Sequence, residues 1–455
     1  MSLSANASLY GLGVKEIAGL VAARQLNPVD LVDSLLSWID TLDGSVHAWS
    51  HLDAGGAREQ AKTLATEAAS GKLRGPLHGV PVGIKDEFHV MGLPTGMRDW
   101  DGPLPAEPID ATCVARLRAA GAIIMGKTHM VVNGRTPPTR NPWNLDHTAG
   151  GTSSGSGAAV GARMVPFAIG EQTVGSNLRP AAFCGVDAMK PTYGRVSRFG
   201  CYPFVWSLDH VGIIGLDMED IALVLSVIAG PDSRDPSTLA QPAPEADLRL
   251  RAMPPPRIGL VRNFFPERTE GVMQEALESS ARRFAKAGAE IVDVLLPEEF
   301  GLTWKLRPLF DVEMYLFHSD QAAHSSRAPR YTPKPGDLVP AAYYLQGRRV
   351  RAWLIDRVNA IISNYDAILM PVAPGPAPKG IETTGDARLL APWSLLGMPA
   401  ITVSAGLSPD GLPLGLQLVA PSLRDHELMR VGAWCERVLG RLTAPPLVQN
   451  AATAL

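Results

Sequence analysis

The feature that most restricts this chain is a run of small residues, Gly150-Gly151-Thr152-Ser153-Ser154-Gly155-Ser156-Gly157, followed by Ala, Val and Gly through residue 162. Hydroxylated residues set between glycines suit a loop where backbone passes close to another group. The Ala/Gly tail suits a helix packed tightly against its neighbours. A flexible Gly-Ser linker would have polar flanks, and these flanks are apolar and helix-forming. Residues 151–155 satisfy G-x-S-x-G, the strand-to-helix turn that carries a serine nucleophile, and residues 155–161 resemble a dinucleotide-binding loop. Both patterns need an apolar strand immediately before them. The preceding Asn141-Pro142-Trp143-Asn144-Leu145-Asp146-His147-Thr148 cannot be a central strand.

Around this run the chain alternates between helical and extended patterns. Apolar residues at helical spacing mark helices over residues 14–24, then after Asn27-Pro28 (an N-cap with proline at the first helical position), and over 57–69. Short branched runs mark strands at 80–85, 122–125, 258–261, 291–294, 367–371 and 400–403. Helices are expected at 114–120, 219–228, 272–287 and 425–439. The order strand, helix, strand across 258–294 argues for parallel strands with helical crossovers. Residues 231–256, rich in Pro and Ala, read as a linker or surface excursion, and residues 304–349 as irregular and aromatic. Together, 44 glycines and 39 prolines imply many tight loops.

The chain of 455 residues has 42 Lys plus Arg against 45 Asp plus Glu, a formal charge of −3, which gives no sign of a nucleic-acid partner. Cys113, Cys184, Cys201 and Cys435 are widely spaced and form no CxxC pair, so they read as buried thiols rather than a disulfide framework or zinc ribbon. The first 15 residues lack a charged segment followed by an apolar core, and the longest apolar stretch, 221–229, is too short to span a bilayer. A cytoplasmic location is the expectation. No HExxH or clustered His/Asp/Glu spacing implies a metal, no cofactor is implied, and the ten histidines sit in no Ser-His-Asp context.

Two further segments stand beside the glycine-serine run. One is Gly83-Ile84-Lys85-Asp86. The other is Gly170-Glu171-Gln172-Thr173-Val174-Gly175-Ser176, followed by Arg179-Pro180-Ala181-Ala182 and Lys190-Pro191-Thr192. The three in this order resemble the amidase signature family. The likeness continues through Ser207-Leu208-Asp209, residues 366–374, 397–401 and 411–418, and covers about residues 79–439. It implies one large three-layer α/β/α domain over 1–455, with a mixed central sheet and helices on both faces. Within it, 79–230 is the signature core, and about 300–350 is a variable segment that caps the substrate pocket.

The resemblance also implies roles. Ser176 is the nucleophile. Thr152, 24 residues earlier, is the proton relay, with Ser153 as its backup. Lys85 is the ultimate base. It must be neutral to act, so its pKa is expected to fall well below the free value through burial at a strand end. Backbone N–H groups of Thr173, Val174, Gly175 and Ser176 form the oxyanion hole. The family has a cis bond before the relay residue, so one is expected at Gly151–Thr152.

The sequence departs from the family pattern in several places. Thr152 replaces serine, keeping the hydroxyl but stiffening χ1. Val174 replaces glycine, resisting positive φ. Glu171 and Gln172 replace Thr and Asp, and are expected to touch the loop's hydrogen bonding more than its chemistry. Arg179 comes one residue late and reads as a structural anchor, as does Arg195. Ser154 and Ser156 read as loop hydrogen-bonders.

The implied activity is hydrolysis of a C–N bond of a linear, non-peptide carboxamide, anilide or carbamate, with ester or carbamate cleavage as a side activity. Trp304, Phe310, Tyr315, Phe317, Tyr331, Tyr343 and Tyr344, with Phe204 and Trp206, point to a bulky or aryl substrate if they line the site. The expected partner is a small-molecule amide, with no nucleic acid and no membrane, and a homodimer stays open. Thr152 and Val174 motivate a noncatalytic amidase-like binding protein as an alternative, and the amidase subunit of a transamidase complex is another.

Overall fold

The computed structural model describes residues 9–96, 106–131, 138–244, 246, 253–324 and 335–454. Among the described residues thirteen strands occur in chain order: β1 (Trp49–Leu52), β2 (Pro81–Lys85), β3 (Ile123–Thr128), β4 (Arg140–Asn141), β5 (Asn144–Thr148), β6 (Phe167–Gln172), β7 (Asp187–Lys190), β8 (His210–Gly215), β9 (Arg257–Val261), β10 (Glu290–Val294), β11 (Ala367–Pro371), β12 (Ala400–Leu407) and β13 (Pro413–Val419). Eleven form one sheet in the order β1-β3-β2-β6-β8-β7-β12-β13-β11-β9-β10. β2 runs parallel to β3 and β6, and β9 runs parallel to β10 and β11. The remaining pairs are antiparallel. This mixed sheet is the expected one. Every residue of β2, β3, β6, β7, β8, β11 and β13 is buried, as strands covered by helices on both faces must be.

Local chemistry sets the helices as expected. Asn27 Oδ1 accepts from the Val29 N–H at 2.9 Å and Pro28 opens the helix Pro28–Val46. The glycine-serine run becomes the short buried helix Ser154–Gly161. It lies so close to its surroundings that a Cβ on Gly155 would sit 2.4 Å from the Ala48 carbonyl oxygen and from the His129 nitrogen. Residues 140–148 form the separate β4–β5 hairpin and stay out of the central sheet.

Two expectations are corrected. Strands β1, β4, β5, β6, β7, β8 and β13 carry no sequence assignment above. Residues 304–349 are not irregular: their described part is helical, with a 3₁₀ segment at Glu298–Lys305 and α-helices at Arg307–His324 and Ala341–Ile362. The aromatic residues there point to several partners at once, which blurs the helical period. Trp304 joins a cluster with Phe264, Phe265 and Phe300. Phe310 and Tyr344 instead pack with Phe204, Val205 and Leu208. Tyr343 is exposed. Tyr331 and the Phe317 side chain lie outside the described residues. All four cysteines are free thiols. Among the described residues no helix is long and apolar enough to cross a membrane.

Candidate active site

The C-terminal ends of the parallel neighbours β2 and β6 lie side by side, with Ile84 opposite Ile169. This register brings Lys85, the last residue of β2, against Glu171 near the end of β6. Lys85 is fully buried. Its Nζ donates to Thr152 Oγ1 at 2.8 Å and to Glu171 Oε2 at 2.9 Å, and Glu87 Oε1 lies 3.0 Å away as an ion pair outside hydrogen-bond geometry. The structure therefore joins Lys85 to Thr152 as the sequence implies, and adds two carboxylates that the sequence reading did not place there.

These carboxylates overturn the expected lysine pKa. Burial alone would push the ammonium down, but the Glu87 and Glu171 charges and the Glu171 hydrogen bond outweigh it and hold Lys85 above its ordinary value. Burial pushes the Glu87 carboxyl up to about 8. Lys85 pulls against that rise and Glu171 adds to it.

A third acid extends the cluster. Thr173 Oγ1 lies 2.9 Å from both Glu171 Oε1 and Asp209 Oδ1. A hydroxyl has one proton to give, so it cannot donate to both carboxyl groups at once. Burial, then the Glu171 charge, pushes Asp209 up to about 7, while the Phe204 N–H, the Thr173 hydroxyl and the Arg198 charge hold it back. Asp209 also lines a cavity of about 260 Å3, together with Arg198, Phe199, Cys201, Trp206 and Arg234.

Ser176 follows β6 in the loop that leads to the helix Leu178–Phe183. Among the described residues, the N–H groups of Thr173, Val174, Gly175 and Ser176 donate to no protein group, and the Ser176 hydroxyl makes no hydrogen bond. Gln172 shapes this loop as expected. Its Oε1 accepts from the Asn177 and Leu178 N–H groups, and its Nε2 donates to Ser394, which in turn donates to the Val174 carbonyl. Glu171 does not behave as expected, since its side chain engages Lys85.

Thr152 is half-buried at the turn into the helix Ser154–Gly161. The expected cis bond before it is absent: no peptide bond among the described residues is cis. Gly150 and Gly151 turn the chain with φ of 84° and 62° instead. A Cβ on Gly151 would meet Pro180 Cδ at 2.6 Å and the Ser176 carbonyl oxygen at 3.0 Å. Ser153 is committed elsewhere, donating to the Glu171 carbonyl at 3.0 Å and accepting from its N–H at 3.2 Å. Ser156 hydrogen-bonds Thr128 and the Ile169 carbonyl, whereas Ser154 Oγ is buried without a partner. Arg179 is buried and reaches Thr384, and Arg195 reaches Gln241.

The residues missed from sequence are Glu87, Glu171 as a partner of Lys85, and Asp209. Asp209 stands in the quoted Ser207-Leu208-Asp209 stretch, and Glu87 stands two residues past Lys85. Neither spacing reveals contact without knowing the order of β2, β6 and β8.

The Amidase family model matches residues 30–305 and 317–429. In Anaeromyxobacter sp. (strain K), the A subunit of glutamyl-tRNA(Gln) amidotransferase is 35% identical over 489 residues, covering 96% of this chain and 98% of the relative. That of Salinispora tropica is 33% identical, covering 96% and 99%. Among solved structures, a peptide amidase bound to the competitive inhibitor chymostatin superposes with a TM-score of 0.83 at 28% identity, covering 95% of this chain and 98% of that one. A chain from a vestigial protein complex tied to the origins of an s-triazine catabolic enzyme gives 0.86 at 29%, covering 95% and 100%. The chain belongs to the amidase family, the family of amidase signature enzymes.

Proposed function

We propose that this protein hydrolyses the C–N bond of a carboxamide through an acyl-enzyme on Ser176. The observation that carries this is the 2.8 Å contact of Lys85 Nζ with Thr152 Oγ1, beside a loop that presents Ser176 and four unpaired N–H groups. Ser176 Oγ attacks the carbonyl carbon, its proton passes to Thr152 Oγ1, and the Thr152 proton passes on to Lys85 Nζ, which must be neutral to take it. The N–H groups of residues 173–176 receive the negative oxygen. The proton returns through Thr152 to the leaving nitrogen, and water releases the acyl group by the same route. Ser153, tied to the backbone of Glu171, takes no part.

The described part of residues 300–350 serves as a cap. Glu313 accepts from the Ser207 N–H at 2.9 Å and from the Tyr344 hydroxyl at 2.8 Å, next to Phe310 and the Phe204–Leu208 turn. These aromatic groups, a short step from Asp209, support a bulky or aryl substrate.

A second reading, favoured by the names of the relatives at 33–35% identity, is the amide-hydrolysing subunit of a multi-subunit amidotransferase. One experiment separates the readings. The protein is reacted with a fluorophosphonate, the adduct is mapped, and acyl-arylamides and acetamide-sized amides are offered with and without candidate partner subunits. Labelling at Ser176 with arylamide turnover lost in Ser176→Ala supports the first reading. Turnover only in the presence of partner subunits supports the second. No labelling and no turnover under any condition leaves a noncatalytic binding protein.

A further inference from the structure

We propose that Glu171 relieves Lys85 of its proton, so that the proton acceptor of this site is the Lys85–Glu171 pair and not the lysine alone; this rests on the hydrolase reading above. Lys85 Nζ can take a proton from Thr152 only once it has a free electron pair. In the structure Nζ spends its N–H bonds on Thr152 Oγ1 and Glu171 Oε2 and has Glu87 beside it. Transfer along the 2.9 Å contact breaks an N–H bond, leaves its electron pair on nitrogen and forms an O–H bond on Glu171 Oε2. An ammonium and a carboxylate become an amine and a carboxylic acid. The amine then turns about its Cε–Nζ bond so that the free pair faces Thr152 Oγ1, and accepts the Thr152 proton as Thr152 accepts that of Ser176. Every proton is conserved, and the route reverses when the leaving nitrogen is protonated.

Electrostatics favours this route over loss of the proton to bulk water. Lys85, Glu87 and Glu171 are each buried. Sending a proton out would leave the Glu171 carboxylate without a cation in a dry pocket, the arrangement that buried charge tolerates least. Transfer within the pair keeps the net charge of the pocket constant.

Glu171 is also held for the task. Its backbone is fixed by Ser153 and its Oε1 by Thr173, so Oε2 faces the lysine. The other charged and titratable groups around the pair are Glu87, Asp209 across Thr173, Cys201 beside the acids, and Arg198 acting on Asp209. Burial already lifts Glu87 and Asp209 toward neutral values, so protons reside in this cluster near pH 7. Glu171 acts through Lys85 and is a positioning residue for the proton.

The test follows the rate of fluorophosphonate labelling at Ser176 from pH 5.5 to 9.5, which needs no knowledge of the substrate. Glu171→Gln is expected to slow labelling about a hundredfold at pH 7 and to move the pH limb to the alkaline side by about one unit or more. Glu171→Asp should recover the rate to within about tenfold. A limb that stays in place in Glu171→Gln, or moves to lower pH as it would if the carboxylate merely retained the proton on Lys85, overturns the proposal. If Glu171→Gln fails to melt cooperatively, Thr173→Val takes its place. An alkaline displacement is expected there too, and an unmoved limb overturns the proposal. A well-folded unsubstituted protein that is unlabelled at every pH overturns the hydrolase reading, and this inference with it.

Discussion

Two lysines end strands of the same sheet, both fully buried, and their surroundings pull them in opposite directions. Lys85, at the end of β2, faces Glu171, Glu87 and a threonine hydroxyl, and stays above the ordinary lysine value. Lys190, at the end of β7, donates to the carbonyls of Pro191 and Met398. Burial, opposed only in part by Asp425, brings it down to about 7. Burial is common to both. What differs is whether a carboxylate stands in contact. The sequence reading expected burial at a strand end to neutralise Lys85, and that physics operates in this molecule, at Lys190.

The largest expected effect comes from the same substitution at both positions. Lys85→Met leaves Glu171 and Glu87 facing each other, and is expected to cost about 3–5 kcal/mol at pH 8 and to reduce Ser176 acylation at least a hundredfold, roughly the general-base contribution. Lys190→Met removes a donor from two carbonyls and should cost only about 1–3 kcal/mol, with acylation preserved. Denaturant melts of the two variants measure the difference, and equal costs would break the contrast.

A smaller effect sharpens it through pH. Glu87 and Asp209 sit at about 8 and about 7 in the folded protein, against roughly 4 when unfolded. Over that interval the folded state holds more protons, so their contribution to stability is full below about 4 and falls as pH rises toward 8. Lys190 has the opposite sign. Its unfolded pKa is near 10.4 and its folded value about 7. Its contribution is full above the unfolded value and is lost as pH falls toward 7. Melting temperature followed from pH 5 to 10 should therefore decline through neutrality, and the decline should flatten in Glu87→Gln and in Asp209→Asn. A profile unchanged by both variants means that the acids carry no excess protons.

The smallest expected change is at Thr152. Its hydroxyl already accepts from Lys85, so Thr152→Ser keeps the contact and frees χ1. Labelling rates should stay within about threefold, an effect below about 0.7 kcal/mol by the usual rate relation. A hundredfold change would mean that the threonine methyl positions the hydroxyl.

The sequence was informative where a local pattern carries the meaning. Branched apolar runs marked β2, β3, β9, β10 and β11, and Asn27-Pro28 marked a helix start that Asn27 indeed caps. In β6 and β8 glycines interrupt the apolar runs: Gly170 follows Ile169, and Gly212 and Gly215 flank Ile213-Ile214, so neither reads as an unbroken branched stretch. Lys85 and Thr152 were paired through a family likeness, 67 residues apart in the chain. Glu171 was quoted but read as a loop residue, because only the parallel pairing of β2 with β6 reveals what its side chain meets. The Gly151–Thr152 bond was expected cis by the same likeness, and two glycines at positive φ make the turn without it.

The clamp on the Ser176 loop has a consequence for biosynthesis. Gln172 and the Val174 carbonyl are both bridged by Ser394, more than two hundred residues further along the chain. When the ribosome has produced the whole signature core, the segment bearing Ser176 still lacks this bracket. On the proposed role of Ser176, competence would arrive late in translation, and fragments ending before residue 394 are expected to be inert however well their own strands assemble.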